Sequence, residues 1–151
     1  MANLACGCPG SQVRTVEKTA SANTQTGRVE SELRQWPTQL HLVPPTAPYL
    51  QDAHLLIAAD CAPFAYAEFH RDFIKDRVLV NACPKLDDTS AYVDKLATMI
   101  ADNNILSVTV TIMEVPCCRG LAMFAQQAIA QSGKDVPLDT VVIGVDGQRR
   151  S

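Results

Sequence analysis

Runs of positive charge are missing from this 151-residue sequence, and aromatic residues make up only 5% of it. A nucleic-acid surface draws on clustered Lys and Arg with stacking aromatics, so that partner class is excluded. No apolar stretch approaches the roughly 18 residues of a membrane span, so no membrane partner is expected. The first residues lack the basic start and long apolar centre of a secretory signal, so a soluble cytoplasmic protein is the expectation. There is no G-x-G-x-x-G, no Walker A loop and no G-x-S-x-G, which leaves nucleotide-binding and esterase readings without a motif. C-x-x-C is absent too, and structural zinc sites and dithiol redox enzymes usually draw on such a pair. No solenoid repeat or low-complexity tract is visible.

What is present is a chain of single-domain size, 47% hydrophobic and 19% charged, with formal net charge −3. That is enough to close a real core. It carries six cysteines. Thiols stay reduced in a cytoplasm, where cysteine clusters bind metal or do redox work more often than they form disulfides. The central stretch runs from Val108 to Gly120. It begins as a β-branched apolar run and stops at Pro116, Cys117 and Cys118. From Leu121 the spacing is helical, with Phe124, Ala128 and Ile129. Two thiols therefore sit where a buried strand meets a helix start. Unpaired N–H groups and the positive dipole end are expected to favour thiolates there.

The same plan recurs. Residues 54–60 read as a strand ending at Cys61, and 77–82 as a strand ending at Cys83-Pro84. Residues 107–113 and 139–144 complete a set of four expected parallel neighbours. Helices are expected over 64–75, with Tyr66, Phe69 and Phe73 on one face, and behind the capping side chains of Asp87, Asp88, Thr89 and Ser90, with Tyr92, Val93, Leu96 and Ile100 on the apolar face and an end near Asn103-Asn104. A third ends at Gly133. Earlier in the chain, 13–31 read as a loop or connector, 31–36 as a helical turn and 39–43 as a first strand. The division expected is a cysteine-bearing segment and connector over 1–34 and an α/β cluster-binding domain over 35–151. Alternating strands and helices imply an α/β fold with a doubly wound, mostly parallel sheet of Rossmann or flavodoxin-like type, helices on both faces.

In a parallel sheet every strand points one way. Cys61, Cys83 and the Cys117-Cys118 pair then emerge along one edge, where open α/β sheets hold ligands. Soft thiolates select zinc, copper(I) or iron–sulfur clusters. Ligands drawn from separate strand ends suit a cluster, and prolines beside the cysteines (Pro9, Pro84, Pro116) stiffen the loops. One buried cysteine alone is usually a small hydrophobe; their convergence argues otherwise. Cys6 and Cys8, in Cys6-Gly-Cys-Pro-Gly-Ser11, add further candidate ligands. His41, His54 and His70 read as packing or surface residues. Asp60 and Glu114, near strand ends, read equally as acceptors or bases beside the thiols and as capping or surface residues, and with Lys85 they would suit an enzyme.

Several of these segments resemble a known family. Cys6-Gly-Cys-Pro-Gly-Ser11, Gln35-Trp-Pro-Thr-Gln-Leu-His-Leu-Val-Pro45, Leu55-Leu-Ile-Ala-Ala-Asp-Cys61, Cys83-Pro-Lys-Leu-Asp-Asp88 and Met113-Glu-Val-Pro-Cys-Cys118 are similar to the C-terminal domain of iron–sulfur-binding proteins of anaerobic microbes. In that group the domain often follows a 4Fe–4S ferredoxin module with two clusters. No C-x-x-C-x-x-C run for such a module exists here. The resemblance implies an iron–sulfur protein in electron transport. More loosely, the arrangement is similar to the small subunit of nickel–iron hydrogenases and its counterpart in respiratory complex I. These hold a [4Fe–4S] cluster at strand ends of a flavodoxin-like sheet.

The expectation is therefore a [4Fe–4S] cluster, or a larger or atypical one, acting in electron transfer with a redox partner protein. Cys61, Cys83 and Cys117 or Cys118 are the core ligands, Cys8 the favoured addition and Cys6 the sixth candidate. A homodimer is compatible with this. No catalytic residue is assigned. The alternatives are an enzyme using an open cluster position or reactive thiols on a small substrate, and a zinc-binding interaction module.

Overall fold

A computed structural model of the chain describes residues 11–17 and 27–150. Cys6 and Cys8 lie outside the described residues. The centre of the fold is β3 (His54–Ala59), in which every residue after His54 is buried. A Leu-Leu-Ile-Ala-Ala run buried on both faces is what a central parallel strand needs. It pairs in parallel with β4 (Val78–Ala82) on one side and β5 (Ser107–Met113) on the other. β6 (Leu138–Ile143) extends the parallel sheet beyond β5, and the two-residue β7 (Arg149–Arg150) closes that edge antiparallel. The order is β4-β3-β5-β6-β7. The four strands expected to be parallel neighbours are therefore so.

The chain leaves β3 for β4 on one side, then returns past β3 to reach β5 on the other. The right-handed rule for such crossovers sends the first connection and the later ones to opposite faces. α2 (Tyr92–Asp102) and α3 (Arg119–Ser132) pack on each other, and α1 (Ala62–Ala65) lies against β3 and β5. The core under them includes Leu55, Ile57, Val80, Tyr92, Leu96, Met99, Val110 and Leu121.

Several local expectations need correction. The helix expected over 64–75 is broken: α1 ends at Ala65, Tyr66 is extended, and a wide turn of π type spans His70–Ile74. Phe69 and Phe73 are nevertheless buried, so the apolar spacing reflects anchoring without a continuous helix. Residues 39–43 form no strand. Gln39 makes one parallel bridge to Asn81, and then Leu42 and Val43 both donate back to the Gln39 carbonyl, turning the chain ahead of Pro44. In place of a helical turn, Gln35–Trp36 form β2, paired antiparallel with β1 (Arg14–Thr15). A two-residue ladder leaves no periodicity to read. α2 begins behind Ala91 with no side-chain cap.

α3 ends as expected. Gly133 takes a left-handed φ of 72° and donates its N–H to Ala130. An added Cβ there would meet nothing within 4 Å. Gly133→Ala should therefore cost about 1 kcal/mol from backbone strain alone, visible as a lower urea midpoint at unchanged slope.

Candidate functional site

The strand ends build the site. Cys83 follows Ala82 at the end of β4, and Cys61 lies just beyond the Ala59 end of β3. Cys117 and Cys118 lie in a 3-10 turn between β5 and α3. Because β3, β4 and β5 are parallel, all four thiols emerge at the same end of the sheet. The ladder extends past the strands there: Asp60 N–H donates to the Ala82 carbonyl at 3.0 Å, and Asn81 Nδ2 donates to Asp60 Oδ1 at 2.7 Å.

Strand order adds what the sequence did not show. Connections run outward in opposite directions from β3 and β5, so the crevice between their carboxyl ends is the topological switch point. Open α/β sheets bind ligands there. Cys61 stands on one side of it and Cys117-Cys118 on the other. Cys83 is the next strand end outward.

Cys61 and Cys83 head turns of the same kind. The Cys61 carbonyl accepts from Phe64 and Ala65 N–H, and the Cys83 carbonyl accepts from Leu86 and Asp87 N–H. Asp87 returns the favour: its Oδ2 accepts the Cys83 N–H at 3.0 Å and the Tyr92 hydroxyl. The Tyr92 bond holds the Asp87 carboxyl below its usual range, helped by the Cys83 N–H. Tyr92 is pushed up by burial and then by that bond. Asp87 thus fixes a cysteine loop and does not cap α2. The C-P-x-x-D spacing was its only sequence signal. Tyr92→Phe should cost about 1.5 kcal/mol of unfolding free energy, the low end for a hydrogen bond from a buried hydroxyl to a carboxylate. Equilibrium denaturation checks it, and an unchanged midpoint would remove Tyr92 from this role.

The four thiols differ in exposure. Cys61 and Cys117 are exposed, Cys83 is half-buried and Cys118 is buried. Burial pushes the Cys118 thiol up in pKa, and the adjacent thiols of Cys117 and Cys61 add to this, against a backbone hydrogen bond at Met113. The thiolate expected at this helix start is therefore corrected for Cys118: desolvation outweighs the peptide dipoles. The same interaction brings Cys118, Cys117 and Cys61 into one electrostatic neighbourhood. On the β4 side, a Cβ on Gly120 would lie 3.8 Å from Pro84, so the start of α3 touches the Cys83 loop.

Glu114 and Asp60 are already engaged. Glu114 accepts from Arg150 Nε at 3.1 Å, and Asp60 from Asn81. Of the histidines, His54 bonds Ser107 and His70 accepts the Glu32 N–H, both away from the thiols. Among the described residues, no three His, Cys, Asp or Glu side chains are grouped to hold one metal ion. A polynuclear cluster asks for something else, since each thiolate binds its own iron and the ligands stand apart around its corners. The donor set fits such a group: soft thiols from separate rigid strand ends at a ligand crevice.

A family model described as a Rossmann-like domain matches residues 47–149. An uncharacterized protein of Archaeoglobus fulgidus is 32% identical over 116 residues, covering 77% of this chain and 81% of its own. No solved structure matches the chain significantly. No helix among the described residues is long and apolar enough to cross a membrane.

Proposed function

The chain belongs to the Rossmann-like domain family through residues 47–149, and on that frame we propose that it binds an iron–sulfur cluster of [4Fe–4S] type and exchanges electrons with a partner protein. The observation that supports this most is the position of Cys61 and Cys118 on either side of the switch point, with Cys83 at the adjoining strand end. Cys61, Cys83 and Cys118 would hold the cluster, with Cys117, Cys8 and Cys6 competing for the remaining position. When bound, such a cluster supplies one-electron transfer.

The chain's own part is to fix the ligands in advance. Cys118 gains a rigid seat from burial, and Pro116 stiffens its turn. The Cys83 loop is clamped by Asp87 through Tyr92. Exposed Cys61 and Cys117 keep one side of the site open to a protein surface. Free thiols of this number fit a reducing, cytoplasmic location.

The test is purification without oxygen, followed by visible absorption and assay of iron, acid-labile sulfide and zinc. Brown protein with iron and sulfide, bleached by dithionite, is expected. Colourless protein with stoichiometric zinc would replace this reading with a zinc-binding interaction module.

A further inference from the structure

We propose that the amino end of the sheet, opposite the thiols, holds a separate binding site for a small phosphate monoester whose other end carries N–H or O–H donors. Two adjoining cavities open there. One, of about 310 Å³, lies between the β1–β2 ladder, the turn around Tyr49 and the starts of β3 and β4. The other, of about 420 Å³, lies beside the starts of β3 and β5. His54, Asp76 and Arg77 line both, so the two form one cleft. Ligand pockets run from roughly 300 to 1,000 Å³. The first cavity carries polar groups that the fold leaves without partners. Gln35 is 1% exposed and donates Nε2 to the Leu79 carbonyl at 2.6 Å, which fixes the orientation of its amide. Its Oε1 is buried and accepts nothing among the described residues. The Tyr49 hydroxyl is buried and unpartnered as well. Bare buried polar groups are costly, so a cavity lined by two of them suits a polar guest.

The chemistry of the guest follows from what is missing. Gln35 Oε1 is an acceptor, so it asks for an N–H or O–H. Burial pushes Tyr49 up to about 12, so its hydroxyl stays protonated and can donate or accept. Asp52 and Asp76 add carboxylate acceptors to the same cavity. This half therefore recognises a donor-rich head. The other half is cationic, lined by Arg71, Lys75 and Arg77. Arg71 is already paired with Glu68 and Asp72. Lys75 has no side-chain partner among the described residues. Arg77 commits only Nη1, to the carbonyls of Asp72 and Phe73. Two cations are thus left for an anion of about two charges, the state of a phosphate monoester near neutral pH. Asp76 lines both halves; its charge weakens the hold on a bare anion and is met by the donor head of an ester. Arg77 lines both halves too, so one molecule spanning the cleft touches both chemistries.

The cleft lies at the opposite end of the strands from the switch point, so it stands apart from the cluster-binding reading and survives its failure. The test is calorimetric titration of the full chain in phosphate-free buffer. The probes are 5′-AMP, 5′-CMP, ribose 5-phosphate and glucosamine 6-phosphate, set against adenosine, glucosamine, inorganic phosphate and glutamate. At least one ester should bind about tenfold or more tightly than its unphosphorylated head and than inorganic phosphate, the size of one charged hydrogen bond. Lys75→Gln and Tyr49→Phe should each weaken that ester by about tenfold. Neither side chain holds the fold through a polar partner, so both variants should keep the parent's urea midpoint. Lys134→Gln, outside the cleft, should bind as the parent does. The inference is overturned if no ester reaches that margin, if glutamate binds as tightly as the esters, or if either cleft variant binds as the parent does.

Discussion

Cys61→Ser and Cys118→Ser are each expected to strip the proposed cluster from protein purified without oxygen, while Cys117→Ser is expected to keep most of its iron and sulfide. The first two residues flank the switch point from opposite strands, and each is set by a rigid element: Cys61 by the end of β3, Cys118 by its buried position in the turn that opens α3. Serine offers a harder, less acidic donor that iron does not accept in place of thiolate. Even changes outside the ligand sphere typically cost roughly 10–100-fold in metal affinity, so removal of a ligand held in place by the fold should exceed that. Cys117 is exposed and adjacent in sequence, so its loss leaves the buried neighbour intact. Cys83→Ser should fall between, since its half-buried loop has Cys8 as a candidate substitute. Iron and sulfide per chain across six single variants decide the order. Retention in Cys61→Ser and Cys118→Ser with loss in Cys6→Ser would move the site away from the strand ends.

Leu121→Ala is expected to destabilise the fold by about 3 kcal/mol, within the range of buried leucine truncations. Leu121 has no exposed surface and lies in the first turn of α3, directly behind the paired thiols. Met123, two residues along the same helix, is 56% exposed, and Met123→Ala should stay within about 0.5 kcal/mol. The pair of urea titrations, read at constant slope, separates burial from helix propensity. Total stability for a domain of this kind is about 5–15 kcal/mol, so the Leu121 variant should still fold. Equal effects from the two variants would mean that α3 does not pack as described.

The parallel sheet could be read in the chain because its strands are apolar throughout, and β3 through β6 fall within a residue or two of expectation. The placement of Cys61, Cys83, Cys117 and Cys118 at their ends was readable for a related reason. A parallel strand has one outgoing end, so a cysteine just after it has a known direction. The switch point was not readable, because strand order depends on which side each crossover takes, and residues 60–77 and 83–106 carry no local mark of that choice. The turn at His70–Ile74 shows the opposite failure, where buried Phe69 and Phe73 imitate a helical stripe across a broken element. β1 and β2 escaped because a ladder of two residues has no period. The burial that raises the Cys118 thiol in pKa is a tertiary property, which a single helix start does not reveal.

One consequence follows from how the sheet is bordered. β7 closes one side with Arg149 and Arg150, a strand only two residues long and positively charged. On the other side, the stretch around Gln39 covers β4 near Asn81 with a single bridge. Among the described residues, β7 covers only Val142 and Ile143 of β6, and on the β4 side the Asn81 N–H and carbonyl and the Leu79 carbonyl are already taken by Thr38, Leu40 and Gln35. A strand added at the β4 border would therefore find its backbone partners occupied, which disfavours sheet augmentation there. A partner docking on that side is expected to meet the protein side chain to side chain, and a binder found to extend the sheet at β4 would contradict this layout.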